Sequence, residues 1–183
     1  MFVVDCQTVL EEAAEKILSD IPSFLVHYFC TSCNDSFTEK RVVAKIHLEN
    51  WKELERKTKA YANPEIINCQ HCNSLSSVTG TTYSDYHIFL CPTFNFEGNY
   101  SENPIPLKTI PGQLAIDNNV YILTGAIAYD SPGLKKTPEI GHFVAFTLRQ
   151  NQHWEIYDDR KDRAHCCKAT HAINIHGLYY RRQ

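Results

Sequence analysis

Apolar residues recur three and four apart at the start of the chain. Val9, Leu10, Ala13, Ala14, Ile17, Leu18 and Ile21 fall on one helical stripe. Asp5 or Thr8 can cap that helix, and Thr8 with Glu11 has capping-box spacing. Pro22 forces it to stop. The period then changes to two: Val42, Ala44, Ile46 and Leu48 alternate with polar residues and predict a strand. The charged stretch 49–61 reads as a short helix or an exposed loop, and the polar stretch 73–84 as a hairpin or a loose return. From Tyr86 onward the texture becomes short apolar segments at 87–96, 120–129, 143–148, 153–157 and 173–180. Linkers carrying Pro, Gly, Asn and Asp separate them at 97–106, 111–119 and 130–139. Strands at this spacing predict an antiparallel sheet, so the expected fold class is α+β.

Composition narrows the function classes. With 183 residues, 43% apolar and 21% charged, the chain has material for one domain with a core, which excludes a disordered segment. The net charge of −3 comes from 18 Lys+Arg against 21 Asp+Glu. Lys40, Arg41, Lys57 and Lys59 are offset by Glu39, Glu53 and Glu55, which argues against a nucleic-acid binder. No apolar run approaches a membrane span, and the N-terminus shows no basic-then-apolar leader. Membrane association is therefore not expected, and the expected setting is a reducing compartment, nucleus or cytoplasm.

Four of the eight cysteines form two knuckles, Cys30-Thr-Ser-Cys33 and Cys69-Gln-His-Cys72. Two intervening residues let both thiolates of a knuckle reach one tetrahedral ion, and two knuckles at the tips of two hairpins make a zinc ribbon. The predicted ion is structural Zn2+, since four thiolates leave no open position for catalysis. His71 lies inside the second knuckle, where it could replace a thiolate or simply sit in the loop.

Further along, Tyr121-Ile-Leu-Thr-Gly-Ala-Ile precedes Gly141-His142-Phe143, and Trp154-Glu-Ile-Tyr-Asp158-Asp159 follows. A strand starting at His142 can pair with the strand after Trp154 and bring Asp158 beside the imidazole. Asp158 is then expected to accept the Nδ1–H bond, leaving Nε2 to take a proton from a nucleophile. Taken alone, a core histidine near an ordinary Asp-Asp turn explains the same residues.

These segments together resemble the ubiquitin-specific protease family and its SUMO-directed relatives, papain-like thiol isopeptidases with thumb, fingers and palm. Gly141-His142-Phe143 resembles the family's Gly-His-Tyr box, Trp154 to Asp159 its Trp-x-x-Phe-Asp-Asp box, and the knuckles its fingertip ribbon. His87-Ile-Phe-Leu-Cys-Pro resembles the strand after the fingers, and Val4-Asp5-Cys6-Gln7-Thr8-Val9-Leu10 the helix closing the thumb. The resemblance implies a single domain over 1–183: a thumb-end helix at 1–26, zinc fingers at 27–85 and an antiparallel palm at 86–183. It implies His142 as base, Asp158 as its orienting carboxylate and Asp159 as a neighbour positioning backbone or water. It also implies ubiquitin or a ubiquitin-like modifier as partner, its extended tail pairing along the cleft to His142. The family's Gly-x-x-Asn-x-Gly-Asn-Thr-Cys-Tyr box, which holds the nucleophile, is absent, and no long thumb precedes the fingers. Cys6, at the start of the first helix, is the in-chain candidate, although the family has alanine there. Cys91 reads as core, and Cys166-Cys167 as loop. Three expectations stay open: a modifier-binding module, an inactive protein-interaction scaffold, or part of an isopeptidase completed by a cysteine box on another segment or a second polypeptide.

Overall fold

The computed structural model describes residues 10–94, 104–130 and 142–183. Cys6, Thr8 and Gly141 lie outside these residues. The elements run α1 (Leu10–Leu18), β1 (Phe24–Cys30), β2 (Ser36–Arg41), β3 (Val43–Leu48), a 3-10 turn (Trp51–Glu53) and α2 (Leu54–Ala60). Then come β4 (Ile66–Asn68), β5 (Leu75–Tyr83), β6 (His87–Phe94), β7 (Ile105–Pro106), a second 3-10 turn (Leu107–Thr109) and β8 (Gln113–Ile116). The chain closes with β9 (Asn119–Asp130), β10 (His142–Leu148), β11 (Trp154–Tyr157), β12 (His165–Cys167), β13 (Ala172–Ile173) and β14 (Ile175–Arg182). No described helix is long and apolar enough to cross a membrane.

Two sheets carry the fold. The smaller is four-stranded, in the order β2-β1-β5-β4. The larger runs β12-β11-β10-β9-β14-β6-β3, with β8 pairing β9 at the side. All its pairs are antiparallel but one: β3 lies parallel to β6, so the sheet is mixed at that edge. That departs from an all-antiparallel palm. The expected strand at 41–48 also divides at Val42. Its first part ends β2 in the small sheet; its second part joins the large one. A chain that leaves one sheet and returns beside β6 has to cross over, which makes β3 parallel. Residues 43–48 therefore belong to the large sheet, with α2 packed beside them.

The charged stretch after β3 is helical. Asn50 caps its first turn by accepting the Lys52 N–H at 3.0 Å, and Glu55 pairs with Lys59 one turn on. Leu54 and Thr58, four apart, face the core and are fully buried.

Strand alternation sorts the large sheet into two faces. Ala44, Leu90, Leu178, Ala126, Phe146 and Ile156 form one continuous cross-strand row. Together with Leu54, Leu107, Leu114 and Tyr180 they make the main core. The opposite face carries a second cluster, in which Leu10 and Ala14 of α1 pack on Val42, Val43, Phe89 and Cys91. Gly177 is the seat of that helix: a Cβ there would stand 2.9 Å from both Leu10 Cδ2 and the Phe89 ring. The expected helical stripe is only partly used, since Ile17 is 64% exposed and Ile21 50%.

Candidate functional site

The four knuckle cysteines converge at the tip of the small sheet. Cys30 Sγ lies 3.6 Å from Cys72 Sγ, Cys33 Sγ lies 3.7 Å from Cys69 Sγ, and all four sulfurs are within 4.8 Å of one another. A tetrahedral ion with metal–sulfur bonds of about 2.3 Å requires sulfurs about 3.8 Å apart, so the donor set and its size fit zinc. The knuckles repeat each other. Asn34 N–H donates to Cys30 O and Cys30 N–H to Asp35 O; Asn73 N–H donates to Cys69 O and Cys69 N–H to Ser74 O. Asn34 and Asn73 both take left-handed backbone, φ 58° and 56°. Asparagine tolerates that region better than other non-glycine residues, and its recurrence after each Cys-x-x-Cys is a signal the sequence reading missed. His71 contributes its backbone N–H, 3.3 Å from Cys69 Sγ, and its ring is not among the clustered ligand atoms.

The second site lies at the end of the large sheet. The register between β10 and β11 sets Ala145 opposite Tyr157, so Asp158 continues to a place diagonal from His142. Alternation puts both on the side of the sheet that buries Val144 and Phe146. Their side chains meet: His142 Nε2 is 2.9 Å from Asp158 Oδ1. Both are well shielded, with 12% and 6% side-chain exposure. The turn after β11 aims the carboxylate, since Arg160 N–H donates to Oδ1 at 3.0 Å. Lys161 Nζ stands 3.2 Å from Oδ2. Burial alone pushes the Asp158 carboxyl up, but the Arg160 amide, His142 and Lys161 outweigh it and hold it at about 2.

This geometry reverses one expectation. Asp158 takes Nε2, not Nδ1. An ionised carboxylate only accepts, so Nε2 carries the proton of a neutral ring and Nδ1 keeps the lone pair. That Nδ1 is buried and has no hydrogen-bond partner among the described residues. Nothing in the strand pattern distinguishes the two nitrogens; the strand end's approach angle does.

Asp159 is exposed and joins His142 and Asp158 within 4.8 Å. The ammonium of Lys161 already faces this group, which disfavours a cation there. A cavity of about 580 Å³ opens beside Asp158 and Asp159. Its floor is the row Ile127–Ala145–Tyr157 with Phe143, and Leu10 and Ala13 of α1 form one wall. The same row continues under α1 at Gly177. His176, the extra residue of a β-bulge in β14, turns its ring onto Tyr129 and Phe143, 5.8 and 5.9 Å between centroids. Periodicity could not have flagged it. Cys91 is buried, and that burial pushes its thiol up to about 12. Cys166 and Cys167 lie on β12, at the sheet edge.

No family model and no curated protein matches the chain. Solved structures do. One structure of the SAGA Ubp8/Sgf11/Sus1/Sgf73 DUB module superposes at a TM-score of 0.52 and 14% identity, covering 95% of this chain and 43% of the matched one. A yeast SAGA DUB module structure gives 0.52 at 15%, covering 88% and 40%. A module of the same composition bound to monoubiquitin gives 0.52 at 15%, covering 87% and 40%. At such identity the likeness establishes a shared fold. The chain spans about two fifths of the length of the chains it matches.

Proposed function

We propose that this chain is a fingers-and-palm module of the ubiquitin-specific protease type that binds ubiquitin or a ubiquitin-like modifier inside the cell, in nucleus or cytoplasm. One observation carries the reading: a shielded imidazole is held at 2.9 Å by an ionised carboxylate, Asp158, which itself borders a cavity at the sheet rim. The fold shared with DUB modules, one of them bound to monoubiquitin, supports it. Cys30, Cys33, Cys69 and Cys72 hold a zinc ion whose contribution is mechanical, clipping the two fingertip turns together.

The chemistry available to the site follows from its free nitrogen. Given a thiol at Nδ1, His142 removes its proton, and the thiolate attacks the isopeptide carbonyl carbon. A C–S bond forms, the C–N bond breaks, and His142 returns the proton to the leaving lysine amine; water then hydrolyses the thioester. Asp158 fixes the ring and stabilises the imidazolium. Asp159 positions backbone or water at the rim. The edge of β10 at 142–144 lies beyond its pairing with β11, which leaves room for an extended tail to add there.

A second reading is an interaction scaffold without chemistry. It is the reading that needs no partner at Nδ1, where the described residues place no hydrogen-bonding group. The two are separated by ubiquitin and SUMO carrying a C-terminal electrophile. An adduct that disappears in Cys6→Ser establishes an enzyme complete in this chain. Reversible binding without an adduct supports a module that receives its thiol from another segment or chain, or has none. Absence of both binding and adduct with either modifier refutes modifier recognition.

A further inference from the structure

The turn after β11 does more than deliver Asp158. Asp158 accepts the Lys161 N–H through its main-chain carbonyl at 3.0 Å and the Arg160 N–H through Oδ1 at 3.0 Å. These backbone bonds help aim Oδ1 at His142. Oδ2 is left over, and Lys161 Nζ takes it at 3.2 Å. The carboxylate thus faces an imidazole, an amide and an ammonium, with the Arg160 guanidinium further off, its Nε 3.8 Å from Oδ1. The lysine is 52% exposed while the carboxylate is 6% exposed. Exposed ion pairs between neighbouring turns usually contribute little, because water screens both ends. Here one end is shielded, and it is the end that touches the ring.

We infer that Lys161 is a positioning residue for His142: by occupying the carboxylate oxygen that the ring does not use, it sets how strongly Asp158 draws a proton onto the imidazole. The inference rests on the His142–Asp158 pair being the functional centre, not on which modifier is bound. With Lys161 in place, part of the carboxylate's charge is answered from the far side, and the neutral ring with a free Nδ1 is favoured. With Lys161 removed, Arg160 still faces Oδ1 but Oδ2 loses its ammonium, so more of the charge acts on the ring and the imidazolium, which cannot serve as a base, is favoured.

The test needs no activity. The ring nitrogens of His142 are followed against pH by nitrogen-15 NMR in the full chain, in wild type, Lys161→Met and Lys161→Arg. In Lys161→Met the titration midpoint of His142 is expected to rise by about half to one pH unit. Lys161→Arg returns most of that shift, and the signals of His87 and His176 stay in place. A His142 midpoint unchanged in Lys161→Met overturns the inference. So does an equal shift when Lys161→Met is made in an Asp158→Asn background, because the lysine would then act directly rather than through the carboxylate. Arginine keeps the charge at this surface turn, so a folded comparison exists even if methionine disturbs the turn. Failure of ubiquitin binding would leave this measurement standing, and failure of this measurement would leave binding untouched.

Discussion

Around the clustered sulfurs the backbone amides of Cys30, Asn34, Cys69 and Asn73 all find carbonyl partners, whereas at the rim of the large sheet the Nδ1 of His142 finds none among the described residues. Both places gather chemically able side chains within 4.8 Å. The fingertip presents four like donors at the corners of a tetrahedron, built by two copies of one turn. That is a closed shell, suited to holding. The rim presents an imidazole with one nitrogen on a carboxylate and the other without a partner among the described residues. Buried polar atoms without partners are rare, and each one calls for an explanation. The contrast sets a closed cluster of like donors against a histidine–carboxylate pair, and it can be tested from either side.

The largest effect is expected at the fingertip. Zinc removal by a chelator, or Cys69→Ser, takes away the metal–sulfur bonds that would tie the two knuckle turns together at the end of the small sheet, and metal affinity at such sites is folding free energy. The finger amides should lose hydrogen-exchange protection while those of β9, β10 and β14 keep theirs. Elemental analysis finding no zinc, with a melting temperature indifferent to chelator, removes the metal from the account.

How far the sequence reached follows the same division. The knuckles were legible because metal chemistry dictates spacing within a few residues, and the structure gathers all four sulfurs. The meeting of His142 with Asp158 was legible because strand alternation and an antiparallel register are local rules. Three things were not. Which ring nitrogen meets the carboxylate depends on angles at a strand end. The parallel seating of β3 on β6 depends on a crossover through the finger sheet, which no local pattern encodes. The narrow use of the α1 stripe depends on Gly177, some 160 positions away by the numbering, whose missing side chain admits Leu10.

That glycine gives the next effect in size. Gly177→Ala places a methyl 2.9 Å from Leu10 and from the Phe89 ring, in a seat with no slack. Overpacking of this kind costs about 1–3 kcal/mol. Thermal unfolding should show the loss, and Leu10→Ala in the same chain should recover part of it. The recovery matters for the rim, because Leu10 also walls the cavity beside Asp158. Strictly additive losses would mean that α1 does not sit where the cavity reading needs it.

A smaller effect depends on pH. His87 is 3% exposed, stacked on Tyr179 at 5.0 Å, and its Nε2 has no partner. Burial holds its pKa below the ordinary histidine value despite a hydrogen bond to the Ile21 backbone. The folded protein therefore binds fewer protons here than the unfolded chain, whose histidine titrates near about 6.5. Stability from this residue is complete above that pH, declines as pH falls below it, and stops declining once the folded form is protonated too. Melting temperatures between pH 7.5 and 5.5, chosen as conditions on either side of about 6.5, should fall less steeply in His87→Phe than in wild type. Equal slopes would assign the pH dependence to other groups.

The smallest effect on stability is expected at the rim itself. His142→Ala removes one hydrogen bond from Asp158, but the carboxylate keeps the Arg160 amide and Lys161. It also removes the buried, unpartnered Nδ1, whose desolvation is a cost in the folded state. The two changes oppose each other, so the net loss should stay near or below about 1 kcal/mol, and circular dichroism should be unchanged. A side chain that sits in a strand, is 12% exposed and yet can be removed almost freely is not there for packing. Global unfolding of His142→Ala would make it an ordinary core residue, and the distinction between a holding end and an acting end of this molecule would then disappear.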